Sequence, residues 1–88
     1  SVYDAPVSVL GIDEGTKNAL QKQKITILEN LLHRLALGKN AAKQLHIAQD
    51  AAEQVVNVVI ETAYRGLSAP EKRDFWERIL HNTDGDAM

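Results

Sequence analysis

One segment of the chain, from Asn40 to Arg65, contains neither proline nor glycine, the residues that most often break a helix. Asn40 can cap its start, because its side-chain oxygen accepts from the free amides of a first turn, and Gly66 can end it. The segment predicts one helix of about 25 residues, roughly 38 Å long at 1.5 Å per residue. A helix of this length dominates what a chain of 88 residues can fold into.

The second half of this long helix is apolar on more than one side. Five of the six residues from Val55 to Ile60 are apolar, whereas a helix with one buried face exposes about half of its circumference. Two arrangements would cover it: a monomeric bundle with this helix as its central rod, or a second copy of the chain. A seam at heptad-like spacing favours the homodimer, and its residues are Leu45, Ala48, Ala52, Val55, Val59 and Ala63.

Capping signals mark the starts of three further helices. Each signal combines a side chain that can accept from first-turn amides with a helical pattern after it. The candidates are Asp13 before a helix over 14–22, the pair Thr26 and Glu29 before a helix that Gly38 ends, and the pair Ser68 and Glu71 before the last helix.

The two ends of the chain carry no helical pattern. Residues 1–10 contain a proline and several β-branched residues and predict an extended lead-in, and the polar residues 82–88 predict a frayed tail. No strand pattern and no internal repeat is present. We therefore expect one all-α domain over residues 1–88 with four helices, of which two are short, one is long and central, and one is C-terminal.

Charge is distributed unevenly along the chain. The net charge of −2 argues against a general polyanion binder. Residues 1–45, however, hold six basic and four acidic side chains, whereas residues 46–88 hold four and eight. The lysines of the first half, among them Lys17, Lys22 and Lys43, form either a phosphate-binding face or an ordinary solvated surface.

Residues 6–34 carry a pattern of positions shared with a known family, at Pro6, Val7, Leu10, Ile12, Asn18, Leu20, Ile25, Leu28, Leu31, Leu32 and Arg34. The pattern resembles the start of the C-terminal domain of the bacterial RNA polymerase alpha subunit, a small module of helix-hairpin-helix-like elements. The run at 37–39 resembles that family's L-G-K turn, which opens the next helix near DNA phosphates. The resemblance covers about a third of the chain and implies DNA contacts at Asn18 and Lys39.

Two departures separate the chain from this family. The family reads the minor groove with an arginine three positions before the asparagine, and here that position is Gly15. The family also has a short helix before its L-G-K turn, whereas only Leu35 and Ala36 precede the run at 37–39. These departures put sequence-specific DNA reading in doubt.

Residues that carry chemistry are sparse. The chain has no cysteine, and His33, His46 and His81 are too scattered to suggest a metal site. No serine or carboxylate pattern indicates catalysis, so we expect neither an enzyme nor a cofactor. No apolar run reaches the roughly 20 residues of a membrane span, and no signal peptide is evident, so we expect a cytoplasmic protein with no membrane partner.

Large residues near the C-terminus offer a further surface. Phe75 and Trp76 point about 100° apart on a helix, so one is expected in the core and the other at the surface or an interface. Tyr64 lies at the end of the long helix. We therefore add Tyr64 and Trp76 to the candidate dimer or partner interface, with core packing as the alternative.

The sequence thus predicts a non-catalytic regulatory module that acts in bacterial transcription. It would form a homodimer and bind a protein partner through helix faces. The alternative function is a helix-hairpin-helix domain that binds duplex DNA through backbone phosphates. Its contacts would be Lys17, Asn18, Lys22, Lys39 and Lys43.

Overall fold

The computed structural model describes residues 2–37 and 40–81, and at positions 75 and 79–81 it describes the backbone alone. The described residues form α-helices and two 3-10 turns, with no strand among them, so the expected all-α class is confirmed. The 3-10 turns are Val2–Asp4 and Val7–Val9. The α-helices are α1 (Glu14–Lys22), α2 (Leu28–Leu35), α3 (Ala41–Leu45), α4 (Gln49–Ala63) and α5 (Ala69–His81).

The predicted long helix is two helices, so the expected count of four is wrong. α3 ends at Leu45, and the next residue, His46, has a left-handed backbone with φ 53°. The Ile47 N–H donates back to the Ala42 carbonyl at 3.1 Å. Such a left-handed residue with a backward hydrogen bond is a common helix end. α4 then starts after Ala48, which has an extended backbone. The break brings Ala41 and Leu45 of α3 and Val55 of α4 into one core.

The predicted extended lead-in is also wrong. Val7, in the second 3-10 turn, is fully buried, and its N–H donates to the Thr26 carbonyl at 2.9 Å. The Leu28 N–H in turn donates to the Ala5 carbonyl at 2.9 Å. The lead-in therefore packs over the turn between α1 and α2. Burial of the Val7 side chain stabilises this arrangement, because removing apolar surface from water is favourable.

The apolar side chains of the second 3-10 turn, α1, α2, α3 and α4 contribute to one contiguous core. Its fully buried residues include Leu20 of α1, Leu31 of α2 and Val59 of α4. α5 packs against α3 and α4. Trp76 of α5 is half-buried, and its indole Nε1–H donates to the Asn57 side-chain oxygen at 3.0 Å.

Three of the four predicted helix starts are confirmed. The Asp13 carboxylate accepts from the Thr16 N–H at 2.8 Å, the Asn40 side chain accepts from the Ala42 N–H at 3.0 Å, and Ser68 and Glu71 exchange both bonds of a capping box. These bonds satisfy amides that have no partner inside the helix. The predicted end at Gly38 and the predicted frayed tail at 82–88 lie outside the described residues.

The predicted capping box of Thr26 and Glu29 is wrong. α2 begins one residue later than that box requires, at Leu28. Instead, the Asn30 side-chain oxygen accepts from the N–H groups of Thr26 and Ile27, both at 3.2 Å. The side-chain oxygen of an asparagine can accept from the same backbone N–H groups at a helix start as a glutamate carboxylate can. The sequence therefore did not decide between Glu29 and Asn30.

Candidate functional site

A polar junction fastens the ends of α1, α2 and α3 together. The Gln23 side-chain Nε2–H donates to the Leu45 carbonyl at 2.6 Å and to the Ala19 carbonyl at 3.2 Å. Arg34 donates from Nη1 to the Gln23 side-chain oxygen at 3.0 Å and to the Gln44 carbonyl at 3.1 Å. Because the last carbonyls of a helix carry partial negative charge, the guanidinium and the amide both stabilise the end of α3. We call Gln23, Arg34 and these carbonyls the junction.

The junction sets two turns side by side, and each turn contains a residue with a left-handed backbone. Lys24 has φ 64° in the turn after α1, and His46 has φ 53° in the turn after α3. Gln23 precedes Lys24 and Leu45 precedes His46, so their hydrogen bond of 2.6 Å joins the two turns directly. The geometry of one turn is therefore fixed relative to the other.

Basic residues on both turns flank the junction in the sequence. They are exposed, and we call them the basic corner: Lys22, Lys24, Lys43 and His46. Arg34 lies behind them and is already bonded within the junction. Ammonium groups can bind phosphate or carboxylate oxygens. The basic corner is thus suited to anion binding.

The predicted nucleic-acid residues do not form one set. Lys22 and Lys43 belong to the basic corner, and Asn18 is exposed one turn before Lys22 on α1. The Lys17 side chain is 12% exposed, and its Nζ donates to the Ser8 carbonyl at 2.8 Å and contacts the Glu14 carboxylate at 3.5 Å. Lys17 therefore holds the second 3-10 turn against α1. Lys39 lies outside the described residues.

The predicted set of DNA contacts did not include Lys24, His46 or Arg34. Lys24 and Arg34 stand in the basic half of the chain, but no helix periodicity relates them to α3. The missing signal was the break at His46, because in an unbroken helix the Leu45 carbonyl would accept from the N–H four residues later.

The residues predicted for a dimer seam are mostly buried within the single chain. Leu45, Ala52, Val55 and Val59 are 0% exposed, so they contact this chain's own core and present no surface to a second copy. The seam prediction is therefore corrected: the break between α3 and α4 lets these residues face inward. Of the remaining interface residues, Ala48 is exposed, and Ala63, Tyr64 and Trp76 are half-buried.

Two grooves lie beside these half-buried residues. One, of about 540 Å³, is bounded by Tyr64, Leu67 and Pro70 and by Asp74 and Arg78 of α5. The other, of about 230 Å³, runs between α4 and α5 past Asn57, Lys72 and Trp76. Both are open to solvent and combine apolar walls with charged rims, as shallow protein-binding surfaces do.

Within residues 2–37 and 40–81, no group of three or more histidine, aspartate or glutamate side chains is placed to hold a metal ion. His33 lies on α2 beside Glu29 and Tyr3, and His46 lies in the basic corner. The side chain of His81 is outside the described part of the chain. The absence of an enzyme activity stays a prediction.

No helix among the described residues is both long enough and apolar enough to cross a bilayer.

Comparisons of this chain with protein-family models, with curated proteins and with solved structures find no match. The resemblance to the C-terminal domain of the bacterial RNA polymerase alpha subunit therefore stays a prediction.

Proposed function

We propose that this chain is a non-catalytic module that binds duplex DNA through its backbone phosphates, with the basic corner as the contact surface. The setting would be bacterial transcription in the cytoplasm, which is what the sequence resemblance implies. Such a module positions itself on the duplex without reading its sequence, because phosphate contacts carry no direct base information.

The bond between Gln23 and the Leu45 carbonyl is the observation that carries this proposal. It fastens the turn of Lys22 and Lys24 to the turn of Lys43 and His46, so the backbone segments that carry these lysines lie side by side. Cations on a backbone that is already fixed lose less conformational entropy on binding than the same cations on flexible loops. The relative position of the two turns that carry the basic corner is therefore set by the fold.

Duplex DNA suits the basic corner better than a single strand. Single-strand binders stack bases on aromatic side chains, and the described aromatic residues with placed side chains, Tyr3, Tyr64 and Trp76, lie on other elements. A duplex presents a dense array of phosphates, to which lysines on neighbouring turns can bind together. We therefore expect the duplex to bind more tightly than a single strand of equal length.

The test is fluorescence anisotropy of a labelled 20-base-pair duplex, titrated with the protein between 50 and 200 mM salt. Three ammonium contacts predict a slope of about −2.7 in log K against log salt, and thus a loss of about 40-fold in affinity over this range. No binding at 50 mM salt and 100 μM protein would overturn the proposal.

A double variant identifies the surface. Lys22→Gln with Lys24→Gln removes two of the three contacts, so the slope should fall to about −0.9 and the salt effect to about 3.5-fold. The matched control is Lys72→Gln with Arg73→Gln on α5, which changes the net charge equally but lies beside Glu61 and Trp76. Equal losses in the two double variants would assign the binding to net charge alone.

A second candidate function is binding of a protein partner, including a second copy of the chain. The observation that favours it is the groove at Tyr64, Leu67 and Pro70, which has apolar walls open to solvent. Sedimentation velocity from 5 to 100 μM tests self-association, with Leu67→Asp as the variant that should abolish it. A single monomeric species across this range would exclude the homodimer.

A further inference from the structure

α1 ends in a backbone motif in which glycine usually occupies one position. The Lys24 N–H donates to the Gln21 carbonyl at 3.0 Å. The Ile25 N–H donates to the Leu20 carbonyl at 3.1 Å, and both of these residues are buried, as the apolar pair that accompanies this motif commonly is. The left-handed residue of the motif is usually glycine, and here it is Lys24, with φ 64°. A long side chain therefore stands where glycine is the usual residue.

The left-handed backbone at Lys24 costs stability that its own side chain does not offset. A Cβ crowds the following carbonyl oxygen in this conformation, whereas glycine adopts it freely. The Lys24 side chain is exposed, so burial in the core does not compensate for the strain. The hydrogen bonds of the motif are made by the backbone, and the bond that joins the two turns runs from Gln23 to the Leu45 carbonyl, so glycine at position 24 would keep all of them. Stability alone therefore favours glycine at this position.

We propose that Lys24 is a phosphate-contacting residue of the basic corner, kept at a left-handed position at a cost in stability. This inference rests on the proposed function, because it assigns a role at the same surface. Left-handed residues other than glycine are uncommon, and they cluster at binding and active sites. The bond between Gln23 and the Leu45 carbonyl holds this turn beside the turn after α3, so the backbone that carries Lys24 is fixed before a phosphate binds.

Replacing Lys24 by glycine should move stability and duplex affinity in opposite directions. In Lys24→Gly we expect Tm to rise by about 3–6 °C, after subtracting the greater freedom of glycine in the unfolded chain. Loss of one phosphate contact should lower the duplex affinity by at most about 15-fold at 50 mM salt, and the slope of log K against log salt should change from about −2.7 to about −1.8. A lysine that only faces solvent would give the rise in Tm without the loss of affinity.

The experiment measures Tm by circular dichroism and duplex affinity by anisotropy in Lys24→Gly and three controls. His46→Gly is the backbone control, because it relieves the left-handed strain of the neighbouring turn, where φ is 53°, and removes no lysine. Its Tm should rise and its duplex affinity should stay unchanged. Lys72→Gln is the charge control, because it removes one cation from α5, where Lys72 lies 4.0 Å from Glu61. Lys24→Arg keeps the charge and should keep both the Tm and the affinity of the unmodified protein.

The outcomes separate the inference from the proposed function. A higher Tm in Lys24→Gly, with a loss of duplex affinity greater than the losses in His46→Gly and Lys72→Gln, supports the inference. A Tm that is unchanged or lower, an affinity that is unchanged, or an equal loss of affinity in either control overturns the inference and leaves duplex binding by the unmodified protein in place. No duplex binding by the unmodified protein overturns the inference together with the proposed function.

Discussion

The junction makes a prediction about Gln23 that concerns stability and binding together. In Gln23→Leu the side chain keeps a similar size but loses three hydrogen bonds, to Leu45, Ala19 and Arg34. The Leu45 carbonyl and part of the Arg34 guanidinium are then left without their protein partners. A lost bond with an unsatisfied half-buried partner costs about 1–3 kcal/mol, so we expect about 2 kcal/mol in all because water reaches part of the site.

Thermal unfolding followed by circular dichroism measures this cost. For a domain of this size, about 2 kcal/mol lowers Tm by roughly 8–16 °C. Gln21→Leu is the matched control, because Gln21 is exposed on the same helix one residue before Lys22. Duplex affinity should also fall in Gln23→Leu although no charge is removed, because the two turns lose their alignment. A Tm within 2 °C of the unmodified protein would refute the role of the junction.

Three further predictions concern the core, the start of α4 and the caps. Val55→Asp should lower the free energy of unfolding by more than about 3 kcal/mol and unfold the chain rather than dissociate a dimer, because Val55 is 0% exposed. Circular dichroism would show the loss of helix, and a folded monomer would contradict this prediction. Asp50→Asn should strengthen duplex binding by about 2- to 5-fold, because the Asp50 carboxylate accepts from the Ala51 N–H, where an anion would otherwise approach. The charge-matched control is Glu61→Gln, about 16 Å further along α4, which should change the duplex affinity less. The Thr16 N–H lowers the pKa of Asp13 below its usual range. The stability that Asp13 contributes is therefore complete above the pKa of its unfolded state and is lost as the pH falls through the pKa of its folded state. Tm measured from pH 6 to 2 should fall less steeply in Asp13→Asn than in the unmodified protein, and identical slopes would rule out this cap.

Local signals in the sequence predicted α1 and most of the helix starts well. Asp13 and Asn40 cap helices as expected because the interaction depends only on a side chain and the next three residues. The predicted cap by Thr26 and Glu29 was wrong because a second local side chain, Asn30, lies close enough to accept from the same amides. Local chemistry therefore identifies a helix start more reliably than it identifies which side chain makes the cap.

The break between α3 and α4 could not be read from local signals. His46 adopts a left-handed backbone without being glycine, at a cost of about 1–2 kcal/mol per residue. The compensation is tertiary: burial of Ala41, Leu45 and Val55 in one core and the bond from Gln23. The same break changed the candidate site, because it turned the supposed dimer seam inward and brought the turn of His46 beside the turn of Lys24.

The most direct test of the account is the chemical-shift map of the backbone amides on titration with an unlabelled 20-base-pair duplex. We predict that amides at 22–24 and 43–46 shift together, with one dissociation constant, because the junction makes them a single surface. Shifts confined to the groove at Tyr64 and Leu67, or the same shifts in Lys22→Gln/Lys24→Gln as in the unmodified protein, would contradict it.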